Sequence, residues 1–204
     1  MSTITGHTGL TALLGSPVAH SISPLMHNEA FRLLELDYVY LCFDVNEETL
    51  PAAVAGLRTC GIRGFNLTMP NKNKIVELLD ELSPEAQLIG AVNTVLNDNG
   101  KLIGYNTDGY GFMQSVRDAG HDVTNKNITV MGVGGASMAI CAQSALDGAS
   151  SVHIFARRTS RYWNRTQKFA ENLTAKTGCQ VCLFDNDDHT ALKDSIAQSY
   201  LLIN

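Results

Sequence analysis

The 204-residue chain has no cluster of lysines or arginines resembling a polybasic tract, and its formal net charge is −5. Both features argue against a nucleic-acid-binding surface. It also lacks any uninterrupted apolar run of membrane-spanning length. Its N-terminus, Met1-Ser2-Thr3-Ile4-Thr5-Gly6-His7, has neither the charged head nor the apolar middle of a signal peptide. A cytoplasmic protein is the resulting expectation. Five scattered cysteines, an odd number, fit reduced thiols rather than a disulfide framework. Cys179-Gln180-Val181-Cys182 has the gap of a zinc half-site, but it falls in a β-prone run where residues three apart face opposite sides. No second Cys/His pair completes a four-ligand set, so no metal is expected. Internal repeats and low-complexity segments are absent as well. The apolar share of 45 % and the charged share of 17 % are those of an ordinary globular chain.

Strand-like and helix-like segments alternate almost throughout, which indicates α/β architecture with a largely parallel sheet. Leu10 to Gly15 reads as a strand, and Ser23-Pro24 opens a helix with Ser23 as its N-cap. Met26, Ala30, Leu33 and Leu34 would be that helix's buried stripe. A strand over Tyr38 to Val45, a helix over Glu47 to Cys60 and a strand over Gly64 to Thr68 follow. Ile75, Leu78, Leu79 and Leu82 have the spacing of an amphipathic helix. Asn97-Asp98-Asn99-Gly100 then marks a hairpin between two extended runs. A new β-α-β pattern starts just after Tyr105. Two domains are therefore expected, an α/β unit over residues 1–104 and a doubly wound dinucleotide-binding unit over 105–204. Ser199 to Asn204 reads as the start of a fourth strand where such a domain normally has about six. The second domain is accordingly expected to be incomplete, a C-terminally truncated piece.

Three groups carry chemistry. Gly132-Val133-Gly134-Gly135-Ala136 follows an apolar strand and opens a helix. Glycine lets a backbone approach a pyrophosphate while helix N-terminal amides face the anion. The next strand ends at Ala156-Arg157-Arg158-Thr159-Ser160-Arg161, with no acid for a ribose hydroxyl. Arginines there suit a 2′-phosphate, so NADP is expected. Lys72, after Asn66-Leu67-Thr68-Met69-Pro70-Asn71, and Asp108, in Asn106-Thr107-Asp108-Gly109, supply a cation and a carboxylate. Asp108 could also serve as an N-cap for the following helix. With the glycine turn, they are the parts needed to move a hydride and a proton together. Ser21 and Ser23, two hydroxyls beside helix N-terminal amides, form a seat for a carboxylate.

Ser21-x-Ser23-Pro24-x-Met26-His27-Asn28, Asn66-x-Thr68-x-Pro70-x-Lys72, Ala91-Val92-Asn93-Thr94, Asn106-Thr107-Asp108-Gly109 and Gly132-x-Gly134-Gly135-Ala136 resemble the shikimate dehydrogenase family in order and spacing. The resemblance implies NADP-dependent reversible reduction of 3-dehydroshikimate to shikimate, in aromatic amino-acid biosynthesis. It implies that Ser21 and Ser23 hold the substrate carboxylate, that Asn66, Thr68 and Asn93 bind ring hydroxyls, and that Lys72 and Asp108 form the catalytic pair. Gly132, Gly134, Gly135 and Ala136 would cradle the pyrophosphate, with Arg157, Arg158 and Arg161 near the 2′-phosphate. Ala156 and Arg158 replace the Asn and Thr of the family's Asn-Arg-Thr-x-x-Arg motif, and Arg157-Arg158 is similar to the quinate/shikimate branch, which can use NAD. A non-catalytic shikimate-sensing module is the rival of another class. Such a module would have no need of Lys72 and Asp108. The resemblance leaves monomer and homodimer both open.

Overall fold

The computed structural model describes residues 4–204. Met1–Thr3, the head of the segment read as lacking a signal peptide, lie outside the described residues. The chain divides into two compact units between Asn106 and Thr107.

The first unit contains β1 (Gly9–Gly15), α1 (Ser23–Leu33), β2 (Tyr38–Asp44), α2 (Leu50–Thr59), β3 (Gly64–Leu67), β4 (Glu81–Leu82), α3 (Pro84–Ile89), β5 (Thr94–Asp98) and β6 (Lys101–Tyr105). Its sheet has the order β2-β1-β3-β5-β6-β4. The β1–β2, β1–β3 and β4–β6 pairs are parallel, and the hairpin makes β5 antiparallel to both β3 and β6. Asn99 and Gly100 turn it with φ of 52° and 91°, the left-handed pair that a tight hairpin requires. Alternation along the strands sorts the two faces. Ala12, Leu14, Phe65, Leu67, Val95 and Leu102 join Leu50 and Val54 of α2 in the main core. Leu13 and Tyr40 face the other way, against Phe31 of α1.

Three expectations change here. The stripe assigned to α1 is not buried: Met26, Leu33 and Leu34 are exposed, and the helix has no fully buried residue. What fixes its rotation is polar. The Asn28 side chain donates to the Tyr40 carbonyl at 3.0 Å and accepts from the Tyr40 N–H at 2.9 Å. It thereby covers backbone groups of the terminal strand β2, while His27 stacks on the Tyr40 ring at 4.2 Å. Ser23 is the first helical residue and not the cap, which falls on Ile22. Ser21 takes over part of that role by accepting the Ser23 N–H at 3.2 Å. The segment with helical spacing at 75–82 forms only a short 3-10 turn, Lys74–Leu78, followed by β4. Ile75 is buried in the main core, and Leu78, Leu79 and Leu82 pack against it. The spacing identified core positions but not their backbone.

The second unit contains α4 (Asp108–Asp118), β7 (Asn127–Met131), α5 (Gly135–Leu146), β8 (Ser151–Ala156), α6 (Trp163–Thr177), β9 (Gln180–Asp185), α7 (His189–Gln198) and β10 (Leu201–Ile203). Its four-stranded sheet, order β10-β7-β8-β9, is parallel throughout. The central strands are buried on both faces, as helix-covered parallel strands are: Ile128, Thr129, Val130, Val152 and Ile154 are all inaccessible to solvent. Cys179 is buried just ahead of β9 and Cys182 is exposed on it. No group of metal-binding side chains occurs among the described residues. Among the described residues, no helix is long and apolar enough to cross a membrane.

Gly109 fixes α4 against α5. A Cβ at this position would lie 2.3 Å from the Ala139 carbonyl oxygen, whereas one at Gly111, on the same helix, would meet nothing within 4 Å. Gly109→Ala is therefore expected to force the helices apart at a cost of about 1–3 kcal/mol. Gly111→Ala should gain up to about 1 kcal/mol from helix propensity. Urea unfolding of the two variants checks this, and equal effects would contradict the packing account.

Candidate functional site

In the first unit, the ends of β1, β2, β3 and β6 and the start of β5 meet along one edge of the sheet, and hydrogen bonds stitch their loops together. Ser16 N–H donates to the Met69 carbonyl at 3.0 Å, and Val45 N–H to the Gly15 carbonyl at 2.9 Å. The fully buried Asn71 donates from Nδ2 to the Val45 carbonyl at 2.7 Å. Val92 N–H donates to the Lys72 carbonyl at 2.8 Å, and Asn93 N–H to the Tyr105 carbonyl at 3.0 Å. Gly15 permits the approach, because a Cβ there would sit 2.2 Å from Thr68 Cγ2. Thr68, Lys72 and Asn93 are thus carried on backbone that is anchored on both sides. The Ser21 and Ser23 hydroxyl oxygens lie 3.1 Å apart in the loop leaving β1, a spacing suited to holding one carboxylate between two hydroxyls.

Asn66 is placed differently from these residues. It lies within β3, on the sheet face shared with Tyr40, where its Oδ1 accepts the Tyr40 hydroxyl at 2.8 Å. Its Nδ2 donates to the Asn93 carbonyl at 3.2 Å and to Thr94 Oγ1 at 3.0 Å. Both amide hydrogens are committed, and one Oδ1 lone pair remains. Burial pushes the Tyr40 phenol well above its usual range, which keeps it a neutral donor. Burial also lowers the His27 imidazole, so neutral His27 stacks on a neutral ring.

In the second unit the carboxyl ends of the strands line a cavity of about 300 Å³. Gly132 contributes from the end of β7, Arg157 and Ser160 from beyond β8, Asn186 from beyond β9 and Asn204 from beyond β10. The position is the crevice that open α/β sheets offer to ligands, where the strand order reverses between β7 and β10. Gly132 has a φ of 101°, a conformation that L side chains rarely adopt. Gly134 is the N-cap of α5, and a Cβ at Gly134 or Gly135 would meet nothing within 4 Å. The turn therefore leaves open space at the helix N-terminus, which is what a pyrophosphate needs. Gly134, Gly135 and Ala136 are all exposed. Of the three arginines, only Arg157 lines the cavity. Arg158 lies over the Trp163 ring at 5.3 Å, and Arg161 over Tyr162 at 4.7 Å. Asp108 is the first residue of α4, and Thr107 takes the cap position. Sequence reasoning overlooked Ser160 and Asn186. The signal for Asn186 was its place directly after the third parallel strand.

A parallel sheet with a glycine turn after its first strand and an arginine after its second is the architecture of a dinucleotide-binding domain. The model of the shikimate dehydrogenase substrate binding domain matches residues 13–95. Shikimate dehydrogenase (NADP(+)) from Listeria innocua is 50 % identical over 201 residues, covering 98 % of this chain and 69 % of the relative. The Streptococcus pyogenes protein of the same name is 50 % identical over 203 residues, again covering 98 % of this chain and 69 % of the relative. A crystal structure of shikimate 5-dehydrogenase from Listeria monocytogenes in complex with shikimate and NAD superposes with a TM-score of 0.95 at 48 % identity, over 99 % of this chain and 70 % of that one. The chain belongs to the shikimate dehydrogenase family.

The Asn66 network makes a stability prediction. Asn66→Ala leaves the Tyr40 hydroxyl without its acceptor and removes the bridge to Asn93 and Thr94. The expected loss is about 1–3 kcal/mol. Ser21→Ala removes one partly exposed cap contact and should cost about 1 kcal/mol or less. Chemical denaturation compares the two, and an Asn66→Ala protein as stable as the parent would show that the network contributes nothing.

Proposed function

We propose that the protein catalyses the reversible reduction of 3-dehydroshikimate to shikimate with NADPH. What supports this reading is that Thr68, Lys72 and Asn93 lie on stitched loops at one end of the first sheet, with Ser21 and Ser23 at the junction between the β1 exit and α1. The substrate is small, with one carboxylate, one ketone and ring hydroxyls. Ser21 and Ser23 seat the carboxylate, and Thr68 and Asn93 meet ring hydroxyls. Asn66 joins them through the one Oδ1 lone pair that its sheet contacts leave. Asp108 is read from its motif alone, as the partner of Lys72 that accepts from and orients a substrate hydroxyl.

The cavity of the second unit fits the nucleotide: open space over Gly134 and Gly135 for the pyrophosphate, and Arg157 for a 2′-phosphate, which a guanidinium fork matches in shape and charge. NADPH, when bound, supplies the hydride that adds to the ketone carbon. Lys72 gives its ammonium proton to the ketone oxygen as negative charge develops there, and is reprotonated from solvent. In the reverse direction the neutral amine takes the hydroxyl proton. Lys72 suits this task because the backbone on either side of it is held, which fixes where its side chain starts. Fixed position is what makes a general acid effective. A cytoplasmic location belongs to the same reading, on the odd number of scattered cysteines.

Lys72→Ala is expected to lower kcat by roughly 10²–10⁴-fold, with a much smaller change in KM. A raised KM at unchanged kcat in steady-state kinetics would remove Lys72 from the proton transfer. Arg157→Ala is expected to weaken NADP⁺ by about tenfold or more while leaving NAD⁺ little changed. Equal losses for the two nucleotides would contradict the assignment of Arg157 to the 2′-phosphate.

A further inference from the structure

Asn186 is the first residue after β9. Its backbone N–H donates to the Ala156 carbonyl at 2.9 Å, which sets it beside the end of β8, where Arg157 follows. Asn186 lines the same cavity as Gly132 and Arg157. Its Oδ1 is buried, and no group among the described residues bonds to it. A buried carbonyl oxygen without a donor is uncommon in folded proteins, and it calls for a partner that the protein itself does not supply. The acids around it in sequence, Asp185, Asp187 and Asp188, do not line the cavity, so a neutral carboxamide is what β9 presents there.

From this placement we infer that Asn186 recognises the adenine base of the nucleotide. The inference rests on the nucleotide reading of the cavity. The strand order β7-β8-β9 sets out the ligand in sequence. The pyrophosphate belongs at the glycine turn after β7, and the phosphorylated ribose at Arg157 after β8. Neighbouring strands are about 4.8 Å apart, close to the width of a sugar ring. The base, carried on that same ribose, therefore comes next along the row, at the end of β9. Adenine offers there an amino group at N6 as donor and a ring nitrogen beside it as acceptor. A carboxamide complements both, with Oδ1 accepting from N6–H and Nδ2 donating to the ring nitrogen. Paired asparagine–adenine contacts of this type are a general mode of base recognition. On binding, a turn of the carboxamide brings the buried, orphaned oxygen to that donor. Asn186 is thus a residue that selects adenine over other bases, separate from the group that selects the 2′-phosphate.

Calorimetric titration of the full chain with NADP⁺ and with 1,N6-etheno-NADP⁺ tests this, because the etheno bridge blocks N1 and N6 and leaves the phosphates intact. The parent protein is expected to prefer NADP⁺ by about tenfold. Asn186→Leu keeps the bulk of the side chain and removes its hydrogen bonds, so the preference should vanish through weaker NADP⁺ binding alone. Asn186→Ala, with circular dichroism as a check on folding, serves the same comparison. A parent protein that binds both nucleotides equally overturns the role of Asn186 and leaves the nucleotide site standing. A preference that persists in Asn186→Leu attributes the exclusion to bulk and also overturns it. A parent protein that binds neither overturns the nucleotide reading itself, and this inference with it.

Discussion

The proposed chemistry of the first unit depends on backbone hydrogen bonds that tie together the loops at one edge of its sheet. Lys72 is neither in a strand nor in a helix, and a loop lysine on free backbone would sample too many positions to act as a proton donor. Here its own carbonyl accepts from Val92, and the residue before it, Asn71, is buried and bonded to the Val45 carbonyl. The same stitching holds Asn93 through Tyr105 and the β1 exit through Met69. A rigid scaffold that positions functional loops is the general arrangement of α/β proteins. This unit achieves it with a mixed sheet whose hairpin brings the start of β5 beside the end of β3.

The second unit solves a different problem. Its parallel strands, buried on both faces, leave their carboxyl ends as the place where a polar ligand can enter. Gly132 gives the turn its conformation, and the open space over Gly134 and Gly135 leaves helix amides accessible. Arg157 adds fixed positive charge, and Asn186 lines the cavity too, with an Oδ1 that no group among the described residues bonds. Each strand end along β7-β8-β9 thus contributes a different chemistry to one cavity. Close packing at Gly109 holds α4, and with it Asp108, against the helix that follows the glycine turn.

Much of this was legible in the sequence because it rests on local rules. The Asn99-Gly100 hairpin, the apolar runs of β7 and β8, the glycine turn and the arginine-bearing loop are each fixed by a few adjacent residues, and the structure has them in place. What could not be read depended on partners far away in the chain. The rotation of α1 places Asn28 on the backbone of Tyr40 and Phe31 on the sheet, so Met26, Leu33 and Leu34 face outward although their spacing suggested burial. Ile75, Leu78, Leu79 and Leu82 pack with the core, yet a 3-10 turn and a short strand paired with β6 deliver them, not a helix. The helix α7 went unread. Asn66 was legible as a candidate binding residue from its motif, but not the commitment of its amide hydrogens to the sheet. Asn186 carried no motif and gained its meaning only from the order of the strands.

The proposed activity is reversible oxidation of shikimate with a phosphorylated nicotinamide nucleotide. The most direct test offers the protein shikimate with NADP⁺ and follows absorbance at the reduced nicotinamide band. The account predicts shikimate-dependent formation of NADPH, reversed on adding 3-dehydroshikimate. Folded protein that binds shikimate but forms no reduced nucleotide, with either NADP⁺ or NAD⁺, would contradict it and favour a sensing role.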